Sequence, residues 1–190
     1  SMYNIPIFKN NILNTKALKT IIKDIDIVIH TAAYINVEES IKKPIMYFRN
    51  NVLGTANIAD ICLNEDIKLI YLSSAAVYGN PIILPIDENH PTNPISPYGL
   101  TKLMGEEIIK FYSQIGLTYI ILRLFNVYGI GQNKAYAGVI IRFIERICNG
   151  KPPIIYGDGN QTRDFIHVYD VAQAIKLCIE KNVKNEIFNI

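Results

Sequence analysis

Lys68-Leu-Ile-Tyr-Leu-Ser-Ser-Ala-Ala-Val-Tyr-Gly79 is the stretch on which the fold turns. Its apolar run has strand length, and it ends in small hydroxyl residues, Ser73-Ser74, before a Pro- and Asn-rich segment from Gly79 to Pro97. A run this short, nearly continuous and rich in β-formers, predicts a strand buried on both faces. Similar runs at Ile25–His30, Thr118–Arg123 and Glu186–Ile190 predict further strands. Between and around them, Thr15–Lys23, Pro44–Asn64, Pro97–Ser113, Val139–Asn149 and Val171–Lys181 carry helical periodicity. Alternation of strands and helices predicts an α/β fold, a Rossmann-like parallel sheet with flanking helices.

The chain has 190 residues, of which 49% are apolar, and a formal net charge of +2. That is enough for one domain with a sizeable core, and the near-neutral charge argues against nucleic acid or a membrane surface as the main partner. No apolar run reaches membrane-spanning length, and Ser1-Met2-Tyr3 lacks the start of a signal peptide. Ser1 ahead of Met2 is consistent with a tag remnant. Cys62, Cys148 and Cys178 are odd in number and widely spaced among apolar residues, which suits reduced core thiols in a cytoplasmic protein rather than a metal site.

In an open parallel sheet, ligands bind at the carboxyl ends of strands. Three such ends carry small or polar residues: His30-Thr31-Ala32-Ala33, Ser73-Ser74 and Arg123-Leu124-Phe125-Asn126. Downstream of Ser74, Ser96-Pro97 predicts a capped helix start, and Tyr98 and Lys102 follow one turn apart. A tyrosine titrates near pH 10, so acting as a base near neutrality requires a depression of about 3 units, or about 4 kcal/mol. Lys102, on the same helix face, is expected to place its ammonium beside the Tyr98 phenol and supply part of it. Ser74 would orient the reacting hydroxyl. The plainer alternative for this pair is a surface lysine beside a half-buried tyrosine.

The order and spacing of several motifs make the comparison specific. They are Asp26-Ile-Val-Ile-His-Thr-Ala-Ala33, Asn50-Asn-Val-Leu-Gly-Thr55, Leu72-Ser-Ser-Ala-Ala-Val-Tyr-Gly79 and Ser96-Pro-Tyr-Gly-Leu-Thr-Lys102. Leu122-Arg-Leu-Phe-Asn-Val-Tyr-Gly129 and Tyr156-Gly-Asp-Gly-Asn-Gln-Thr-Arg-Asp-Phe-Ile-His-Val168 complete the set. Over nearly its whole length the chain resembles the extended short-chain dehydrogenase/reductases of the NAD-dependent epimerase/dehydratase family, close to its UDP-sugar 4-epimerases.

The resemblance implies roles residue by residue. Tyr98 would be the catalytic base, Lys102 the ribose-binding lysine and Ser74 the residue at the sugar hydroxyl. Thr31, Ala32, Ala33, Asn51, Ser73 and Phe125, together with Tyr98 and Lys102, would contact NAD. Asn126 and Arg163 would hold the diphosphate of a nucleotide sugar, a UDP-hexose above all. A homodimer through the Pro44–Asn64 and Pro97–Ser113 helices is also implied. Duller readings stand beside these. Asn51 would satisfy backbone groups, Phe125 would fill core, Arg163 would pair with Asp164 at the surface, and His30 would be a hydrogen-bonded structural histidine rather than a ligand.

Relatives that remove water or carbon dioxide usually carry an acid just after the active-site serine or threonine, where this chain has Ala75-Ala76. Epimerisation is therefore the expected chemistry, ahead of a dehydratase or decarboxylase of the same family. A truncated, non-catalytic nucleotide-binding or scaffold relative is the third reading. The family's glycine-rich turn is missing from this sequence, and Gly129-Ile-Gly131 does not replace it. Alignment puts Ile5–Phe8 near the family's third strand, places Asn11 where an aspartate usually contacts the adenosine, and ends the chain before most of the sugar-binding lobe. The chain is thus expected to be a single partial NAD(P)-binding domain over residues 1–190 with the beginning of the substrate-binding part, with an exposed apolar edge at Ile25–His30, weak NAD binding and no activity by itself.

Overall fold

The computed structural model describes residues 5–132 and 138–190. The opening Ser1-Met2-Tyr3, read above for a tag or leader, lies outside them. In chain order the first part runs α1 (Thr15–Ile22), β1 (Ile27–His30), α2 (Val37–Lys42), α3 (Pro44–Tyr47), a π-helical turn (Phe48–Leu53), α4 (Gly54–Asn64) and β2 (Lys68–Ser74). A 3₁₀ turn (Ala75–Val77), α5 (Pro97–Ser113) and β3 (Tyr119–Leu124) follow. Then come β4 (Asn126–Tyr128), α6 (Val139–Cys148), β5 (Phe165–His167), α7 (Val168–Glu180) and β6 (Glu186–Asn189).

Four strands form one sheet in the order β1-β2-β3-β6, with β1 parallel to β2 and β3 parallel to β6. The two central strands are buried on both faces, which explains their continuous apolar character, while β1 and β6 lie at the edges. On one side the core joins Leu18 and Ile22 of α1, Ile58 and Ile61 of α4, Ile109 of α5, Leu69 of β2 and Ile121 of β3.

The chain divides into two compact units. One holds residues 1–123 with 183–189, the other residues 124–182 with Ile190. In the second unit β4 and β5 pair with each other, Asn126 opposite Phe165, rather than extending the four-stranded sheet. No helix among the described residues is long and apolar enough to cross a membrane.

Several expectations need correction. Pro44–Asn64 is not one regular helix, because the π turn widens it between α3 and α4. Ile5–Phe8 forms no strand, and Ile5 and Ile7 lie in the open, 70% and 92% exposed. Helix α7 begins at Val168, before the expected Val171, since the His167 ring accepts a hydrogen bond from the Tyr169 amide and caps it. Cys62 and Cys178 are buried thiols as expected, but Cys148 is exposed at the end of α6. Burial pushes the Cys62 thiol up to about 12.

Candidate active site

The 3₁₀ turn after β2 and the start of α5 bring Ser74 and Tyr98 together. Ser74, half-buried in extended backbone, accepts a bond from the Ala76 amide at 3.2 Å and caps that turn. The turn's backbone then presses on Gly99, where a Cβ would stand 2.5 Å from the Ala76 carbonyl oxygen and 3.1 Å from Pro94 Cβ. Only glycine permits this approach. Helix α5 is anchored at the same point, since Ser96 Oγ accepts from the Gly99 amide at 3.1 Å. The Tyr98 amide donates to Ser40 Oγ of α2 at 3.2 Å. Neither α2 nor Ser40 stood out in the sequence, because a six-residue helix carries too little periodicity.

Burial raises the proton affinity of the Tyr98 phenol, and the neighbouring Ser74 hydroxyl opposes the rise. Lys102 lies on the buried stripe of α5. Its Nζ donates to the Leu72 carbonyl at 2.8 Å and lies 4.9 Å from the centre of the Tyr71 ring. Residues four apart share a helix face, but a four-carbon stem decides separately where the charge ends. Burial drops the Lys102 ammonium to about 8, with the Glu106 carboxylate pulling the other way. One hydrogen bond is given to an ammonium with three donors, which leaves two for the hydroxyls of a ribose. That arrangement fits the cofactor chemistry expected of this lysine.

The other candidates of the first unit are held as follows. Thr31 and Ala32 are exposed and Ala33 half-buried, directly after β1. Asn51, on the π turn, accepts from the Tyr34 amide at 2.8 Å and donates to the Tyr34 carbonyl at 3.0 Å and to Thr101 Oγ1 at 3.1 Å. Its amide thus fastens the loop after β1 to α5. Ser73 Oγ donates to Glu106 Oε1 at 2.5 Å, so its hydroxyl is committed to that carboxylate. His30 Nε2 lies 2.9 Å from Thr55 Oγ1, and burial, then the Lys102 charge, lowers it to about 3. It is a neutral, hydrogen-bonded core histidine. Asn11 Oδ1 accepts from the Leu13 amide at 2.9 Å.

In the second unit Phe125 is half-buried, its amide bonded to the Ile190 carbonyl at 2.9 Å. Asn126 donates through Nδ2 to the Asp164 carbonyl at 2.8 Å, which places it beside the strand that follows Arg163. Arg163 is exposed and donates to the Thr162 carbonyl at 2.7 Å rather than pairing with Asp164. It lines a cavity of about 450 Å³ with Val139 and Phe143 of α6, Ile154, Tyr156 and Phe165. The segment Gly157-Asp-Gly159 is a turn, both glycines having positive φ.

Glu106 and Arg123 were not singled out in the sequence. Glu106 falls on the buried stripe of α5 with Lys102, Gly105 and Ile109, and an acid on such a stripe requires a partner. Arg123, 3% exposed on β3, is that partner, with Nη2 2.7 Å from Glu106 Oε2.

Residues 3–190 match the family described as NAD dependent epimerase/dehydratase. A putative UDP-glucose 4-epimerase of Methanocaldococcus jannaschii is 53% identical over 172 residues, covering 88% of this chain and 56% of that protein. Two solved structures align over 98% of the chain. One is a UDP-N-acetylglucosamine 4-epimerase from Methanobrevibacter ruminantium in complex with UDP-N-acetylmuramic acid, with TM-score 0.91, 40% identity and 61% of that chain covered. The other is a UDP-glucose 4-epimerase from Thermotoga maritima with UDP-glucose, with TM-score 0.93, 33% identity and 62% covered. The chain therefore spans between half and two thirds of the length of these relatives. A match that runs almost from end to end, over a parallel sheet whose β2 brings Ser74 to Tyr98 of α5, makes this chain a member of the NAD dependent epimerase/dehydratase family.

Proposed function

We propose that this chain carries the reaction centre of an NAD-dependent nucleotide-sugar 4-epimerase. The observation that carries the reading is the Ser74 hydroxyl acting on the Tyr98 phenol, with Ala75-Ala76 and no acid next to Ser74. NAD, when bound, would take up the hydride from C4 of the sugar and return it. Ionised by the positive charges of Lys102 and an oxidised nicotinamide against the opposing effect of burial, Tyr98 would accept the proton of the sugar 4-hydroxyl, Ser74 would hydrogen-bond the same oxygen, and Lys102 would offer its remaining donors to a ribose. The 4-keto sugar then turns over, so that hydride returned to its other face would invert C4 while Tyr98 gives the proton back to the 4-oxygen. An alanine has no proton to give or take, so loss of water or carbon dioxide has no acid beside Ser74 to assist it.

Arg163 suits a diphosphate, because a guanidinium grips phosphate through two directed bonds. The aromatic and aliphatic cavity beside it, with Phe143, Tyr156 and Phe165, suits the attached nucleoside. A UDP-hexose meets both demands. Homodimerisation through α4 and α5 belongs to the same reading, and it is supported by Leu100, Met104 and Phe111 standing exposed along one side of α5.

The test is interconversion of UDP-galactose and UDP-glucose by the product of the complete reading frame. Tyr98→Phe should lower kcat by about 10² to 10⁴, the usual reach of acid–base catalysis, with the fold retained by circular dichroism. Unchanged turnover in that variant would sink the assignment.

A further inference from the structure

Glu106 lies two helical turns beyond Tyr98 on α5 and is fully buried. Its oxygens face donors from two other segments. Oε1 accepts from Ser73 Oγ at 2.5 Å and from Arg123 Nε at 3.1 Å. Oε2 accepts from Arg123 Nε at 3.2 Å and from Nη2 at 2.7 Å. Arg123 Nη1 then donates to Tyr78 Oη at 2.8 Å and to the Glu88 carbonyl at 3.1 Å. Tyr78 Oη donates to Asn189 Oδ1 at 2.7 Å, and Asn189 Nδ2 to the Ile86 carbonyl at 3.1 Å.

Three segments that carry or flank the reaction centre are tied to this one carboxylate. Strand β2 reaches it through Ser73, the neighbour of Ser74, and α5 through its own backbone. The long connection from Gly79 to Pro97 reaches it through Glu88 and Arg123. Apolar packing alone holds a helix to a sheet but tolerates sliding along the helix axis. A slide of one residue is about 1.5 Å, which is more than a set of directed, desolvated hydrogen bonds at these distances permits.

We propose that Glu106 is a positioning residue of the reaction centre, its carboxylate fixing the axial register of α5 against β2 and hence the separation of the Tyr98 phenol from the Ser74 hydroxyl. The proposal deepens the functional reading and rests on Tyr98 and Ser74 being the reacting pair. Displacement of about 1 Å at such a pair costs on the order of 10²-fold in rate. Glu106 touches no substrate, and its effect passes through Ser73 and the helix.

Ser73→Ala is the decisive variant, because it cuts the tether to β2 and leaves the Glu106–Arg123 ion pair in place. Ser73→Thr keeps a hydroxyl and serves as the rescue. Both are compared with the parent, all made from the complete reading frame, by three readouts. These are the urea midpoint, kcat and KM for UDP-galactose, and the ζ-¹³C tyrosine resonance of Tyr98, assigned by its loss in Tyr98→Phe. Ser73→Ala should shift the Tyr98 resonance and lower kcat about 10- to 100-fold with KM within about twofold, and Ser73→Thr should restore both. A Tyr98 resonance that ignores Ser73, or a lowered urea midpoint with unchanged kcat, overturns the proposal and leaves Glu106 a structural residue. If the parent turns nothing over while the resonance follows Ser73, the epimerase reading falls and the positioning role stands.

Discussion

At the scale of single residues, His30 makes the clearest thermodynamic statement. The folded chain holds it neutral down to about pH 3, whereas an unfolded chain protonates it near 6.5. Between those values the unfolded state binds the extra proton, so stability falls as pH drops from about 6.5 towards 3. The slope is at most about 1.4 kcal/mol per pH unit for one group. Urea titrations at pH 7 and pH 5 should show this loss, and His30→Phe should flatten it relative to the parent. Lys102 acts in another window. Its depressed value of about 8 against an ordinary 10.5 means the unfolded chain binds more protons between those limits, so it adds stability as pH rises through them. The sequence showed that these residues sit at a strand end and on a helix face. It did not show where their side chains finish. Asn51 is similar, since its partner Tyr34 lies 17 residues away and is reached only because the π turn aims the amide there. For Lys102 too, helical spacing places a Cβ and does not reveal the bond of its ammonium to the Leu72 carbonyl.

At the scale of elements, α5 is the best-determined part of the chain and the one that leaves least room for change. Its bounds match the sequence expectation because the start signals are local: Ser96 caps, and Pro97 fills the first position. Gly99 is the sensitive point. Gly99→Ala gains up to about 1 kcal/mol of helix propensity, yet it drives a methyl into the Ala76 carbonyl. We expect a near-parental thermal midpoint with kcat lowered at least tenfold, because the turn carrying Ser74 must retreat from Tyr98. A variant of full activity would show that this close approach is incidental. Elements without local signals were not legible. Nothing in Phe48–Leu53 announces a π turn, and β4 is only three residues, too short for alternation to register, whereas the sequence after the Gly157-Asp-Gly159 turn does read as strand, where β5 lies. The pairing of β4 with β5 depends on contacts nearly forty residues apart, as in the bond from Asn126 to Asp164.

At the scale of the whole molecule, the sheet class was readable because central strands must be apolar on both faces, and Leu69, Ile70, Ile120, Ile121 and Leu122 are. The division into two units was not, since residues 124–182 continue the same alternation of helix and strand. Assembly is the property tested at this scale. Light scattering at tens of micromolar should give twice the chain mass, and Leu100→Glu with Phe111→Glu should halve it; a parent that stays monomeric throughout would count against the α4–α5 interface. A last consequence follows from the layer between β2 and α5. There, among the described residues, the buried Lys102 ammonium makes one hydrogen bond, to the Leu72 carbonyl, and rests over the Tyr71 ring. Polar groups left wanting in a protein interior weaken the empty state. A ligand that hydrogen-bonds that lysine would consolidate the surrounding packing as it docks, so that under the proposed function dinucleotide capture and completion of the native state would be two views of a single equilibrium.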